Sequence, residues 1–166
     1  MTIATAQRAA ETPNETALGD ERVVITWAEL DSTLNRATNA LLGAGLGEGQ
    51  RIAVFAENAA ETVLGHLSGI LAGISTVPVN FHLTAEEVQY ILEDSQSGMV
   101  LVGPETAEVG LEAARAAGVG LVVGWRCPDD SGVLSWEAFL ERGEDTDPPS
   151  DMAPKPFLHY TSGTTG

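Results

Sequence analysis

Apolar positions along this chain recur three and four apart, give way to short unbroken runs, and then return to the wider spacing. Trp27, Leu30, Leu34, Ala37 and Leu41 mark one face of a helix that ends before Gly43 and Gly45. Thr26 and Glu29 precede it in S/T-x-x-E spacing, where hydroxyl and carboxylate can each satisfy a free N–H of the first turn. The run "RIAVFA", Arg51 to Ala56, has the length and apolarity of a buried strand. Val63, Leu64, Leu67, Ile70 and Leu71 resume the helical spacing, with Asn58 and Glu61 as the expected cap pair. "STVPV" predicts the next strand, Thr84 and Glu87 cap a helix carrying Val88, Ile91 and Leu92, and "GMVLV" predicts another strand. A helix from about Glu105 to Ala117 and the strand "VGLVVG" close the series. Apolar strands alternating with helices predict an α/β fold, a mostly parallel sheet with covering helices.

The flanks read differently. "TALGDERVVIT" sets Gly19-Asp20 between two β-rich runs and predicts a hairpin. Residues 1–14 read as flexible, and 141–155, which include "ERGEDTDPPSDMAP", as an acidic, proline-rich, solvated linker. After it, "PFLHY" predicts one more strand. No internal repeat is present.

From Thr62 to Ala85 no residue is charged, and Gly65, Gly69 and Gly73 share the small-xxx-small spacing of packed membrane helices. Against a span stand His66, Pro78, Asn80 and His82, each costly in hydrocarbon, and a β-branched cluster that suits a strand. The reading preferred is a buried helix whose glycines admit a close sheet, a turn at Gly73, then a buried strand, with no membrane span.

Composition narrows the classes. The chain has 166 residues, of which 43% are hydrophobic and 19% charged, enough apolar surface for one packed core. Its 24 acidic and 8 basic side chains give a formal charge of -16, which repels phosphate backbones, so nucleic acid is not expected as a partner. Cys127 is the sole cysteine, so neither an internal disulfide nor a cysteine metal site is expected. With an N-terminus that lacks a secretory apolar run and carries Glu11 early, this predicts a cytoplasmic protein.

Several familiar sites are absent. "GAGLGEG" has Glu48 where G-x-G-x-x-G needs glycine, and follows a helix instead of a strand. Val77 interrupts a nucleophile elbow started by Gly73 and Ser75. His66, His82 and His159 lack metal-ligand spacing. The chemistry concentrates in "YTSGTTG", Tyr160 to Gly166. Its glycines let consecutive N–H groups converge on an anion, while Thr161, Ser162, Thr164 and Thr165 add neutral hydroxyl donors. A Walker loop is excluded, because the four-residue gap and the lysine are missing. By composition alone, a flexible polar tail is the favoured reading.

Order along the chain discriminates. "ITWAELDSTLNRATNALLGAGLGEGQRIAVFAEN", then "LAGISTVPVNFHLTAEEVQYILEDS", then "YTSGTTG" resembles the AMP-forming acyl-CoA synthetase and adenylation-domain family, from about Thr16 to Gly166. The resemblance implies that residues 1–166 are the N-terminal part of the large domain of an adenylate-forming enzyme. Such enzymes activate a carboxylic acid with ATP and Mg²⁺, release pyrophosphate, and usually pass the acyl group to a thiol such as coenzyme A.

On that resemblance Thr161, Ser162, Gly163, Thr164, Thr165 and Gly166 begin the phosphate loop that holds the β- and γ-phosphates. Thr26, Trp27, Glu29 and Leu30 match a scaffold helix start, and Gly73, Pro78, Val79 and Asn80 match a scaffold turn and strand. Asn80, where amino-acid-activating domains more often carry aspartate, leans toward acyl-CoA ligases of fatty or aryl acids. The family's loop continues into x-Pro-Lys-Gly, and that lysine and the remaining pockets are not among these 166 residues. The isolated chain is therefore expected not to catalyse adenylation, and no catalytic or metal-ligating residue is assigned within it. The alternative is a truncated noncatalytic α/β binding module, self-associating through surfaces that the rest of a synthetase would cover.

Overall fold

The computed structural model describes residues 2–149 and 151–161. Five strands, β3 (Arg51–Phe55), β4 (Ser75–Val79), β5 (Met99–Val102), β6 (Val122–Gly124) and β7 (Leu134–Ser135), form one sheet in the order β4-β3-β5-β6-β7. Every pairing in it is parallel. The crossovers contain α3 (Ala60–Leu71), α4 (Ala85–Ser95) and α5 (Ala107–Ala116), while α2 (Trp27–Gly43) enters the sheet and α6 (Trp136–Leu140) follows β7. The α/β fold with covering helices is as the sequence predicts.

The two-residue period of the strands divides the core into two layers. Ile52, Val54 and Leu101 point to one face, where Leu34, Leu41, Leu64 and Phe139 bury against them. Ala53, Phe55, Val100 and Val102 point to the other, under Val88, Leu92 and Ala113. Helix α6, not foreseen from the sequence, completes the first layer: Trp136 and Phe139 are buried, and Ser135 caps the helix by accepting from Ala138 N–H at 3.2 Å.

Both expected capping boxes form. Thr26 and Thr84 accept from the N–H groups of Glu29 and Glu87, whose carboxylates accept in return. The expected cap at Asn58 does not. The N-cap of α3 is Ala59, which offers no side-chain acceptor, and Ala60 N–H donates instead to Asp20 Oδ2 at 2.9 Å. Asp20 lies in the turn of the expected hairpin, between β1 (Thr16–Gly19) and antiparallel β2 (Val24–Thr26). Its other oxygen accepts from Arg22 and Val23 N–H at 2.7 and 2.9 Å. One carboxylate thus closes the hairpin and ties it to a helix 40 residues away.

These bonds, that from Ala60 foremost, hold the Asp20 carboxyl down to about 2 from its ordinary 3.8. A depressed folded value means that the stabilisation is present above 3.8 and is lost as pH falls toward about 2. Asp20→Ala is therefore expected to lower the urea midpoint at neutral pH, with the gap from wild type closing as pH drops through that window. A gap that stays constant down to acid pH would contradict the assignment.

Residues 1–14, expected to be flexible, include the helix α1 (Thr2–Glu11). It packs along α2, and the Arg8 guanidinium lies 5.8 Å from the centre of the Trp27 ring. The glycines of the uncharged stretch serve the sheet, as expected. A Cβ on Gly65 would lie 2.6 Å from Leu101 Cδ1, and Gly73 turns the chain at φ +68°. Among the described residues no helix is long and apolar enough to cross a membrane.

Candidate functional site

The segment that delivers Tyr160 and Thr161 is a strap fixed to the sheet's β4 margin. Residues 141–155, read from composition as a solvated linker, are tied down at several points. Asn39 Nδ2 donates to Glu144 O and Thr146 O at 2.9 and 2.8 Å, and Ser32 Oγ donates to Asp145 Oδ2 at 2.7 Å. Gly143 lies so close to α2 that a Cβ there would collide with the carbonyl of Arg36. Lys155 pairs with Glu48 at 2.9 Å. The composition conceals this because two of the ties are made through carbonyls of the strap, which any residue supplies, and the others through charged side chains whose partners are distant in sequence.

Beyond it, "PFLHY" was expected as a strand and is not one. Ser75 Oγ donates to Pro156 O at 2.6 Å and Leu158 N–H to Thr76 O at 3.0 Å, and the pairing stops there. Ser75 N–H bonds inward to Gln50 O, so by alternation Thr76 and Pro78 face the outer edge. Pro78 has no N–H to continue a ladder, which leaves the segment extended but unassigned to the sheet. It ends with Tyr160 donating to Asp94 Oδ2 at 2.5 Å.

The strap brings Thr161, exposed, to the C-terminal end of β4, the side of an open parallel sheet on which ligands bind. A groove of about 730 Å³ opens there between Pro78, Asn80, Leu83, Tyr90, Tyr160 and Thr161. Asn80 shapes its floor: Oδ1 accepts from His82 N–H at 3.1 Å and turns β4 toward α4. Nearby, Thr106 Oγ1 donates to Phe55 O at 2.6 Å and accepts from Gly103 N–H at 3.0 Å, sewing the ends of β3 and β5 together. Sequence reasoning missed Thr106, Asp94 and the strap's anchors.

Of the residues assigned to the phosphate loop, Thr161 is at the groove's rim, and Ser162, Gly163, Thr164, Thr165 and Gly166 lie outside the described residues. The histidines do not converge on it. His66 is half-buried, with Nδ1 2.9 Å from Thr76 Oγ1 and its ring edge-on to Phe157. Burial, with His159 nearby, lowers its affinity for a proton. Burial likewise pushes the Cys127 thiol up, away from the reactive thiolate. Among the described residues no group of three or more His, Cys, Asp or Glu side chains is placed to hold a metal.

Comparison with known proteins adds an independent line. The sequence profile of the family described as "AMP-binding enzyme" matches residues 5–166. The 3-hydroxybenzoate–CoA ligase of Aromatoleum sp. (strain CIB) is 32% identical over 145 residues, covering 86% of this chain and 28% of the ligase. Surfactin synthase subunit 2 of Bacillus subtilis (strain 168) is 29% identical over 173 residues, covering 96% of this chain and 4% of the subunit. Among solved structures, the inhibitor-bound N-terminal domain of FACL13 from Mycobacterium tuberculosis superposes with a TM-score of 0.80 at 29% identity, over 99% of this chain and 42% of that one. The chain thus spans less than a third of the length of these two curated relatives.

Proposed function

Since the chain belongs to the AMP-binding enzyme family, we propose that it forms the front of an ATP-dependent, AMP-forming acid–thiol ligase that makes an acyl-adenylate and transfers the acyl group to coenzyme A. The observation that carries this reading is the strap ending in Tyr160 and Thr161 at the C-terminal edge of a parallel sheet, directly before Ser-Gly-Thr-Thr-Gly. In this reading the N–H and hydroxyl groups of Thr161 to Gly166 hold the β- and γ-phosphates of ATP. They would stabilise charge gathering on the departing pyrophosphate. Mg²⁺, when bound, would offset triphosphate charge that an acidic chain cannot. A fatty or aryl acid is the substrate class we favour, supported by Asn80 and by similarity to a 3-hydroxybenzoate–CoA ligase. The single cysteine supports a cytoplasmic setting.

The test is detection of the acyl-AMP by mass spectrometry after incubation with ATP, Mg²⁺ and a panel of aryl and fatty acids, then of the thioester once coenzyme A is added. The complete gene product is expected to form both. Residues 1–166 alone are expected to form neither, and acid-dependent release of pyrophosphate by that chain would overturn this part of the reading. A second reading, a noncatalytic self-associating module, draws on Val63 and Phe157, apolar yet 40% and 41% exposed. It predicts that residues 1–166 sediment faster as concentration rises and that the complete gene product makes no adenylate.

A further inference from the structure

Where the strap crosses the outer edge of β4 its side chains alternate as those of a strand would. Leu158 and Tyr160 pack into the layer beneath α4, and Phe157 turns instead toward His66 of α3. The two rings meet edge to face with their centres 5.3 Å apart, and the ring of His159 leans on the same phenylalanine at 5.8 Å. His66 also lies against the sheet, its Nδ1 2.9 Å from the hydroxyl of buried Thr76. The carbonyl of that threonine accepts from Leu158 N–H at 3.0 Å. One half-buried imidazole therefore touches both the strap and the residue of β4 that holds it.

Nothing around His66 favours a positive charge. β4 has no titratable side chain, and on α3 the one acid, Glu61, lies more than a turn back and is paired with Arg126 at 3.2 Å. On the strap Lys155 is held by Glu48 at 2.9 Å and the Tyr160 hydroxyl by Asp94, which leaves His159 as the titratable group whose field reaches His66. We propose that His66 is a pH-sensitive latch of the strap: uncharged, it packs on Phe157 and keeps Leu158 joined to Thr76, and charged, it lets residues 156–159 leave the edge of β4. Release removes one of the ties that hold Thr161 at the groove. A protonated ring can still donate to the Thr76 hydroxyl, so that bond does not oppose charging. Loss of water does, foremost, and then repulsion from His159; both lower the proton affinity of His66 from its ordinary 6.5. A lowered folded value means that the latch is fully closed above 6.5 and gives way as pH falls below it. The latch does not depend on what Thr161 binds.

Hydrogen exchange of the Leu158 amide reads the latch without any ligand. It is measured in the complete gene product at about pH 7.5 and about pH 5.5, on either side of the ordinary imidazole value, and corrected for the intrinsic pH dependence of exchange. Wild type is expected to lose protection at the lower pH, by up to about tenfold per pH unit, the limit for uptake of one proton. Amides of β3, buried in the middle of the sheet, are expected to change by less than about threefold. His66→Asn leaves Thr76 a neutral polar neighbour that takes up no proton, and its Leu158 protection, whatever its level, is expected to be equal at the two pH values. His159→Gln removes the second imidazole and is expected to shrink the wild-type loss. The ring resonances of His66, followed by NMR in wild type, are expected to titrate below 6.5. The proposal is overturned if Leu158 is unprotected at about pH 7.5, if its protection is unchanged or higher at about pH 5.5, as a net cation–π gain on Phe157 would produce, or if His66→Asn loses as much as wild type. Should the β3 amides show that His66→Asn does not fold, the ring titration decides, and a value above 6.5 refutes the latch.

Discussion

Gly69→Val is expected to destabilise the protein by about 3 kcal/mol, at the upper end for overpacking a core. For a chain of this size that lowers the thermal midpoint by roughly 6–12 °C. Gly69 lies on the face of α3 that meets the sheet, and a Cβ there would run into Thr76 Cγ2 and approach Ile52 Cδ1 to 3.2 Å. Thr76 cannot easily turn aside, because its side chain is β-branched and its hydroxyl is bonded to His66 Nδ1 at 2.9 Å. The helix must back away instead. Since the carbonyl of Thr76 also holds Leu158 N–H, the strap toward Thr161 is expected to loosen with it. Gly43, the last residue of α2, has nothing within 4 Å of the same position. Gly43→Ala is therefore expected to be neutral or to stabilise by about 0.5–1 kcal/mol through helix propensity. Thermal and urea unfolding of the two variants side by side checks the contrast, and equal effects would contradict the close-approach account.

The largest expected effect on function comes from Gly163→Val in the complete gene product, a loss of roughly 10²–10³ in kcat/KM for ATP, the size seen when transition-state donors are removed. In the phosphate-loop reading the backbone itself binds the anion, and a branched side chain at the central glycine would stand between the N–H groups and the phosphates. The loss is expected in kcat as well as KM, because charge on the departing pyrophosphate grows as the acyl-adenylate forms. Steady-state kinetics with ATP varied at saturating acid measures it. A change smaller than roughly twofold would remove Gly163 from the phosphate site.

The layered core was legible because strand and helix periods announce themselves in the apolar residues. Leu30, Leu34 and Leu41 had to lie on one face, and "RIAVFA" had to be buried on two. Two caps were legible because a capping box is local, three residues from hydroxyl to carboxylate. The cap of α3 was not, since its acceptor is Asp20, which no local spacing connects to Ala60. The strap's attachment was hidden for the same reason: Asp145 and Thr146 are exposed, as their composition suggests, yet their segment is held by Ser32 and Asn39 of α2. "PFLHY" has the composition of a strand, but Pro78 across from it denies the ladder, a veto visible only once β4 has a known outer edge. At the candidate site the assignment of Thr161 to Gly166 to a phosphate loop is a proposal from sequence, with Thr161 alone among the described residues. The bond between Tyr160 and Asp94 was not legible, because a tyrosine and an aspartate 66 residues apart signal nothing until the fold joins them.

We propose that this chain supplies the phosphate-binding front of an adenylate-forming ligase. This is tested most directly by exchange of labelled pyrophosphate into ATP, catalysed by the complete gene product across a panel of aryl and fatty acids. The account predicts exchange that requires both Mg²⁺ and one of the acids, falls roughly a hundredfold or more in Gly163→Val, and is unchanged in Gly43→Ala. Exchange that proceeds without any acid, or that Gly163→Val leaves intact, would contradict it.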